Sequence, residues 1–429
     1  SNKMKGFLTL ALATVGTLTL YFNTTSPEIG NDPSIQVPTS RNLNVALTQF
    51  TDPKVVESKP PGSDTMMMPS SIHDHGGPST ILSLPTIPDS LSWTQVPQHE
   101  RDETPRCISS KNDFPLDRCC IGQCRRDRLK PWYRPHKKAF NNLFLKADMD
   151  GLTSMDTTLE LLHNYMVRKR LERIRAHDNF VGTEMTSSPF PIIDTCSLWF
   201  IGDSLNEENA IAALCKLASL GYEVVDPEEC DLTKAGFKGH CDMALPESAH
   251  CPKIRVRSDW APSWGRYESD RLSRMNEAGP VIYSWGVHGN SREDVSEWMV
   301  NKFQPLYDDF QNTIYQPSRY AFMWREHEPQ HFSSEGGVYD GGLTKCQPPS
   351  GDVYNNYRNE MIVEYLRDNG LIHTIPILKT YDALKPLHMF HFEKDCTHYC
   401  YSPWRYDLTW HGISLGLLKV LGEDTAVTA

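Results

Sequence analysis

Two short stretches of this chain carry the residue types needed for covalent chemistry: Gly202-Asp203-Ser204 and Asp395-Cys396-Thr397-His398. A serine hydroxyl is a weak nucleophile at neutral pH. It becomes a useful one when an imidazole within hydrogen-bond reach takes its proton and a carboxylate holds that imidazole in the right tautomer. The sequence contains a single Gly-Asp-Ser and a single histidine with an aspartate three positions before it. The chain order Ser…Asp…His is one of the known convergent orders. Each signal also has a plain structural reading, since Asp203 or Ser204 could simply cap a helix.

A second pattern points elsewhere. His327-Glu328-Pro329-Gln330-His331 fits the His-Glu-x-x-His of zinc proteases, a chemistry that needs both histidines on one face of a continuous helix. Pro329 removes a helix hydrogen bond there at a cost of roughly 3 kcal/mol. The match is therefore read as accidental, and no metal site is expected. Cys120 and Cys124 lack a second Cys/His pair at finger-like distance, which argues against zinc there too.

The elements that must position Ser204 and His398 alternate along the chain. Ser197–Ile201 is a short apolar run stopped by Gly202, as in a buried strand. Asn206–Leu220 has apolar residues at helical spacing with Gly221 at its end. Tyr222–Val225, Pro280–Trp285 and Leu371–Thr380 read as strands, and Met155–Arg175, Arg292–Asn312 and Asp352–Asn369 as helices. Strands alternating with helices predict an α/β fold, a parallel sheet flanked by helices. Loops at the carboxyl ends of such strands form the functional crevice. Ser204 follows one strand directly, at the start of a helix whose free N–H groups and dipole favour negative charge. The Asp395–His398 stretch is placed on a loop after the last strand, where both side chains can turn to one side.

Outside this region the chain changes character. Gly6–Phe22 is uncharged and apolar, preceded by Lys3 and Lys5. It reads as a membrane anchor with a cytoplasmic N-terminus, a cleaved signal peptide being the competing reading. Residues 23–105 are rich in Pro, Ser, Thr and Asp and read as a disordered stem. A Cys-rich module and helix follow over 106–195, and the main domain over 196–421. Twelve cysteines in a chain entering the secretory route are most simply a disulfide set. Asn23-Thr24-Thr25 is the only glycosylation sequon. A net charge of −11 argues against a nucleic-acid partner.

Leu198–Asn206 (LWFIGDSLN) and Glu393–Gly416 (EKDCTHYCYSPWRYDLTWHGISLG) resemble the PC-esterase family of GDSL/SGNH-like acyl esterases, which includes the plant trichome birefringence-like proteins. Two further blocks are similar to that family's. One runs from Trp324-Arg325 through His331-Phe332, Gly336-Gly337, Gly341-Gly342 and Cys346. The other is Ser284-Trp285-Gly286-Val287-His288. The likeness covers about Cys196 to Leu417. The N-terminal module of the plant proteins is matched only loosely between Cys107 and Tyr133, and the residues after Cys400 do not follow the plant pattern, so acceptor specificity does not carry over. The resemblance implies a three-layer SGNH-hydrolase-like fold with Ser204 as nucleophile, His398 as general base then acid, and Asp395 as its orienter. Gly286 would lend a backbone N–H to an oxyanion hole. Arg325 would hold an oxyanion or the acyl group, the alternative being a buried ion pair with a helix carboxylate. His288 and His331 are candidate substrate contacts whose plain reading is structural.

The function so implied is O-acetyl transfer to polysaccharide or glycan hydroxyls through an acyl-serine. Hydrolysis of carbohydrate acetyl esters is the close alternative, and a non-catalytic carbohydrate-binding protein the third. No bound cofactor is expected, an acetyl donor such as acetyl-CoA serving as co-substrate. Loops around 230–280 and 333–350 would decide whether water is excluded. The location implied is a Golgi or secretory-pathway membrane, type II single-pass through residues 6–22, with the main domain luminal.

Overall fold

The computed structural model describes residues 84–103, 119, 144–181, 195–230, 239–260, 279–311, 321–334, 337, 339, 346–348, 356–392 and 395–423. All lie within the compact unit Pro78–Ala429. The anchor segment 6–22, the sequon and Cys120/Cys124 fall outside the described residues. Among the described residues no helix is long and apolar enough to cross a membrane.

Among the described residues the first elements are β1 (Trp93–Gln95) and α1 (Gln98–Glu103), then β2 (Leu145–Ala147), which pairs antiparallel with β1. This corrects the boundary of the stem. Residues 84–103 belong to the folded unit, because Ile87 and Leu91 are buried and the Trp93 indole N–H donates to the Ala383 carbonyl at 2.8 Å. The long helix α2 (Met155–Val181) follows. Next come β3 (Cys196–Gly202), α3 (Ser204–Ser219), β4 (Glu223–Val224), β5 (Gly239–Ala244), β6 (Lys253–Trp260) and β7 (Val281–Ser284).

The next helical stretch, expected as one helix, is α4 (Arg292–Trp298), a π turn over Met299–Phe303, and α5 (Gln304–Gln311). The Gln304 N–H donates to the Met299 carbonyl, five residues back. Pro305 follows immediately and has no N–H for the ordinary ladder, a reason for the helix to shift register there. The remaining elements are β8 (Phe322–Arg325), α6 (Tyr357–Asp368), β9 (Ile377–Leu378) and α7 (Tyr381–Leu384). A 3₁₀ turn over Lys385–Phe390, the hairpin β10 (His391–Phe392) and β11 (Asp395–Tyr399), and α8 (Pro403–Glu423) are the last of the described elements.

Seven strands form one sheet in the order β4-β5-β6-β3-β7-β8-β9. The run β6-β3-β7-β8-β9 is parallel throughout, and β5 is antiparallel to both of its neighbours. The protein is thus mixed α/β, with a mostly parallel sheet flanked by helices. β3 supplies residues to both faces by alternation. Leu198 and Phe200 pack with α2, α3 and α8, whereas Trp199 and Ile201 pack with α4, α5 and α6. Helix α2 is therefore a layer of the main fold rather than part of a separate module. The Cys119–Cys215 disulfide ties the preceding segment to α3 as well.

Three expectations about strands change. The region 230–280, read as loops, contains β5 and β6. Their alternating charges are cross-strand pairs, with Arg255 and Lys253 both on Asp242. Leu371–Thr380 is extended only at Ile377–Leu378, since Leu371 and Ile372 turn back to the Leu366 carbonyl. The Asp395–His398 stretch lies in a short strand and not in a loop.

Disulfides Cys196–Cys251, Cys230–Cys241 and Cys346–Cys396 join further parts of the fold, and Cys400 is also disulfide-bonded. A tight backbone approach lies beside the site at Gly202, opposite Ser284 in the sheet register. A Cβ at Gly202 would collide with the Ser284 carbonyl oxygen and stand 2.8 Å from the Asn206 Cβ. Gly202→Ala is expected to cost about 1–3 kcal/mol or more, read as a lower urea midpoint. An unchanged midpoint would refute this tight approach.

Candidate active site

The parallel strands β6-β3-β7-β8-β9 have the order 2-1-3-4-5 when counted along the chain. In such a sheet the crevice opens between the carboxyl ends of the first and third strands, here β3 and β7. Gly202 ends β3 and Ser204 begins α3. Between them Asp203 adopts extended backbone and caps the helix, its Oδ1 accepting from the Leu205 N–H at 3.1 Å. Its other oxygen reaches across the crevice and accepts the N–H groups of Gly286 and Val287, both at 3.2 Å. Asp203 therefore caps and braces at once.

The hydroxyl of Ser204 lies 2.7 Å from Nε2 of His398. Nδ1 of His398 lies 2.8 Å from Oδ2 of Asp395. With Nδ1–H donated to the carboxylate, Nε2 keeps its lone pair for the serine proton. An ideal strand would send residues three apart to opposite faces. Here Oδ1 of Asp395 accepts from the backbone N–H of both Thr397 and His398 at 3.1 Å, curling the strand so that the side chains meet. Burial alone would raise the Asp395 pKa. The His398 hydrogen bond and charge, with the two backbone donors, outweigh it and hold the carboxyl far below the usual range. His398 keeps 17% of its side chain exposed, so the pair can be reached from solvent.

Beneath this surface lies a fully buried polar cluster. Arg325 is 0% exposed, and each of its three guanidinium nitrogens donates to the protein. The acceptors are Asn206 Oδ1 at 3.3 Å, Glu328 Oε1 at 2.8 Å and Ser284 Oγ at 3.2 Å. Glu328 Oε1 also accepts from Asn209 at 3.2 Å, and Oε2 pairs with Arg405, whose guanidinium sits 3.9 Å from the Tyr399 ring centroid. Burial lowers the Arg325 pKa to about 10, which leaves it charged at neutral pH. This corrects the expectation for Arg325 as a group that grips the acyl oxygen. It is a strut under Ser204, and its carboxylate partner stands three residues on in an irregular segment, not on a helix.

Gly286 needs a similar correction. Its N–H is directed at Asp203 and is not turned toward an oxyanion in this arrangement. The Ser204 N–H stands in the first turn of α3, where backbone donors lack an intrahelical acceptor. His288 is exposed and meets Trp260 edge-on at 5.9 Å. His331 is fully buried, away from solvent, between His391 and the Lys385 carbonyl. No helix spans 327–331, so the His-Glu-x-x-His match has no zinc-protease geometry. Among the described residues His163, Cys196 and Cys251 are close enough to suggest a metal site, but the two cysteines are joined in a disulfide.

Sequence reasoning missed Glu328 and Arg405 as a buried pair, together with Asn206, Asn209 and His391. Asn206 and Asn209 did leave a signal, amides spaced three apart at the start of a helix whose next turns, Ala210–Cys215, are apolar. Neither the comparison with protein-family models nor that with curated proteins finds a match to this chain.

Two predictions follow from the buried charges. Glu328→Gln removes the one carboxylate in contact with both buried guanidiniums and is expected to cost about 3–5 kcal/mol, measured by urea unfolding. A loss under 1 kcal/mol, taken as roughly the worth of one ordinary hydrogen bond, would show that the cluster does not hold the site. His327 is fully buried, and burial, then Arg358 and Arg325, holds its pKa well below the ordinary 6.5. The unfolded chain thus binds a proton that the folded chain refuses. Stability is full above that pH and falls below it, by up to about 1.4 kcal/mol per unit for one such group. Below the ordinary carboxyl value of 3.8, protonation of Asp395 in the unfolded chain adds to the loss. Urea midpoints from pH 8 to pH 4 check the sign, and His327→Asn should flatten the upper part of the slope.

Proposed function

We propose that this protein is an acyl-serine O-acetyltransferase acting on carbohydrate hydroxyls, with an SGNH-like domain of the PC-esterase kind. The observation that carries the reading is the unbroken series Ser204 Oγ, His398 Nε2, His398 Nδ1 and Asp395 Oδ2, linked at 2.7 and 2.8 Å. It sits at the carboxyl ends of parallel strands, where such chemistry is built. His398 takes the Ser204 proton as Oγ attacks the acetyl carbonyl of a donor such as acetyl-CoA. Asp395 stabilises the imidazolium, and the Ser204 N–H at the helix start faces the developing negative charge. The imidazolium then protonates the leaving group, which gives an acetyl-serine. A sugar hydroxyl passes its proton to His398, attacks the acyl carbon and leaves acetylated, and the proton returns to Ser204.

Hydrolysis uses the same steps with water as the second nucleophile, and the solvent exposure of His398 favours that reading. The Golgi membrane location and the anchor at residues 6–22 belong to this proposal too, resting on the sequence pattern and the resemblance.

A fluorophosphonate probe should label the wild-type protein and not Ser204→Ala. Absence of labelling on folded wild type would favour a non-catalytic carbohydrate-binding protein. Incubation with an acetyl donor and mixed oligosaccharides should add acetyl mass to the sugars, whereas free acetate alone would make hydrolysis the activity. His398→Ala should lower turnover by roughly 10⁴-fold or more while folding stays intact.

A further inference from the structure

Beside Ser204, His398 and Asp395 lie two buried histidines that the proposed reaction does not use. His331, in the segment after β8, is 0% exposed, and His391, in β10, is 2% exposed. Nδ1 of His391 is 3.0 Å from the carbonyl oxygen of His398. Nε2 of His331 is 2.8 Å from the carbonyl oxygen of Lys385. A carbonyl oxygen only accepts, so both of these nitrogens must carry protons. The two remaining nitrogens, Nδ1 of His331 and Nε2 of His391, face each other at 2.5 Å. A neutral imidazole has one N–H, already committed in each ring. The facing nitrogens would then be two opposed lone pairs. One proton between them turns that repulsion into a short charge-assisted hydrogen bond. Three bonds need three protons, one more than two neutral rings hold.

We propose that His331 and His391 share a single extra proton, and that the loaded pair is a positioning device that holds the backbone of His398. The positioning role rests on the reading of Ser204, His398 and Asp395 as a reaction centre. Asp395 favours the positive charge, while His398 and His388, the latter with its ring 6.2 Å from that of His331, oppose it. The Tyr399 ring lies 4.0 Å from that of His391, with the Arg405 guanidinium against the same tyrosine. The Lys385 ammonium is turned away to Asp382. Burial pulls both rings below the ordinary histidine range and so works against the extra proton, which the short bond between the rings must hold and which leaves as pH rises. Once that proton leaves, one of the three bonds must open, and β11 depends on the bond to the His398 carbonyl.

Selective ¹⁵N-imidazole NMR on Ser204→Ala protein, titrated over the folded range, tests the shared proton without any need for turnover. The His331 and His391 nitrogens should shift together in one step that corresponds to one proton. Two rings that stay neutral throughout, or that load one proton each in separate steps, overturn the proposal. The positioning role is read from pH profiles of kcat on a soluble acetyl ester. Wild type should show an alkaline limb at the pH of the joint step. His391→Gln, whose amide can donate to both neighbours without charge, should lack that limb whatever its absolute rate. His391→Leu should lower kcat about 10²-fold with KM unchanged. Identical pH profiles for wild type and His391→Gln overturn the positioning role. Absence of turnover in wild type would sink the proposed activity instead, with the NMR result still deciding the shared proton.

Discussion

The geometry of the site depends on where one carboxylate directs its two oxygens. Asp203 accepts the Leu205 N–H with one and the Gly286 and Val287 N–H groups with the other. The first contact fixes the start of α3, hence the direction of the Ser204 side chain. The second fastens the chain leaving β7 to the chain leaving β3. A parallel sheet splays its connections apart at this point, because successive crossovers leave to opposite faces. Asp203 closes the gap from inside, with backbone donors that cannot be lost by mutation of their side chains.

The buried charge cluster continues the same construction downward. Glu328 is the acceptor for Arg325, Asn209 and Arg405, so one carboxylate ties together β8, α3 and α8. Thr409 on α8 donates to Asn209 Oδ1 at 2.9 Å, which completes the join. Desolvated ions of this kind add little to net stability when they are paired and are costly when one partner is removed. Their effect here is geometric. Helices packed through apolar contacts alone could slide by fractions of an ångström, and the serine–imidazole distance tolerates little of that.

Much of this was legible in the residues. Ser197–Gly202 as a strand, the helix after it and the run 281–284 all followed from apolar spacing, and they placed Ser204 at a carboxyl end. What failed to show is instructive. β5 and β6 are laced with charge, and their partners lie across the sheet rather than along the chain, so local patterning suggested loops. Residues 84–103 have a polar composition, yet Trp93 is fixed by a carbonyl 290 positions away in the chain. Arg325 and Gly286 were assigned by type and motif position. Their hydrogen bonds turn inward, and only coordinates carry that information. The spacing of Asp395 and His398 was read correctly as a pair, although the curl that joins them comes from two backbone donors, not from a loop.

The Cys346–Cys396 bond has a consequence for when the site exists. Cys396 stands next to Asp395, so the acidic end of the series is covalently moored to a segment about fifty residues upstream. Before that bond forms, β11 is kept in place by weaker ties, among them the His331 N–H to the Cys396 carbonyl at 2.8 Å and its short pairing with β10. Oxidation of these thiols therefore fixes the strand that carries Asp395 and His398.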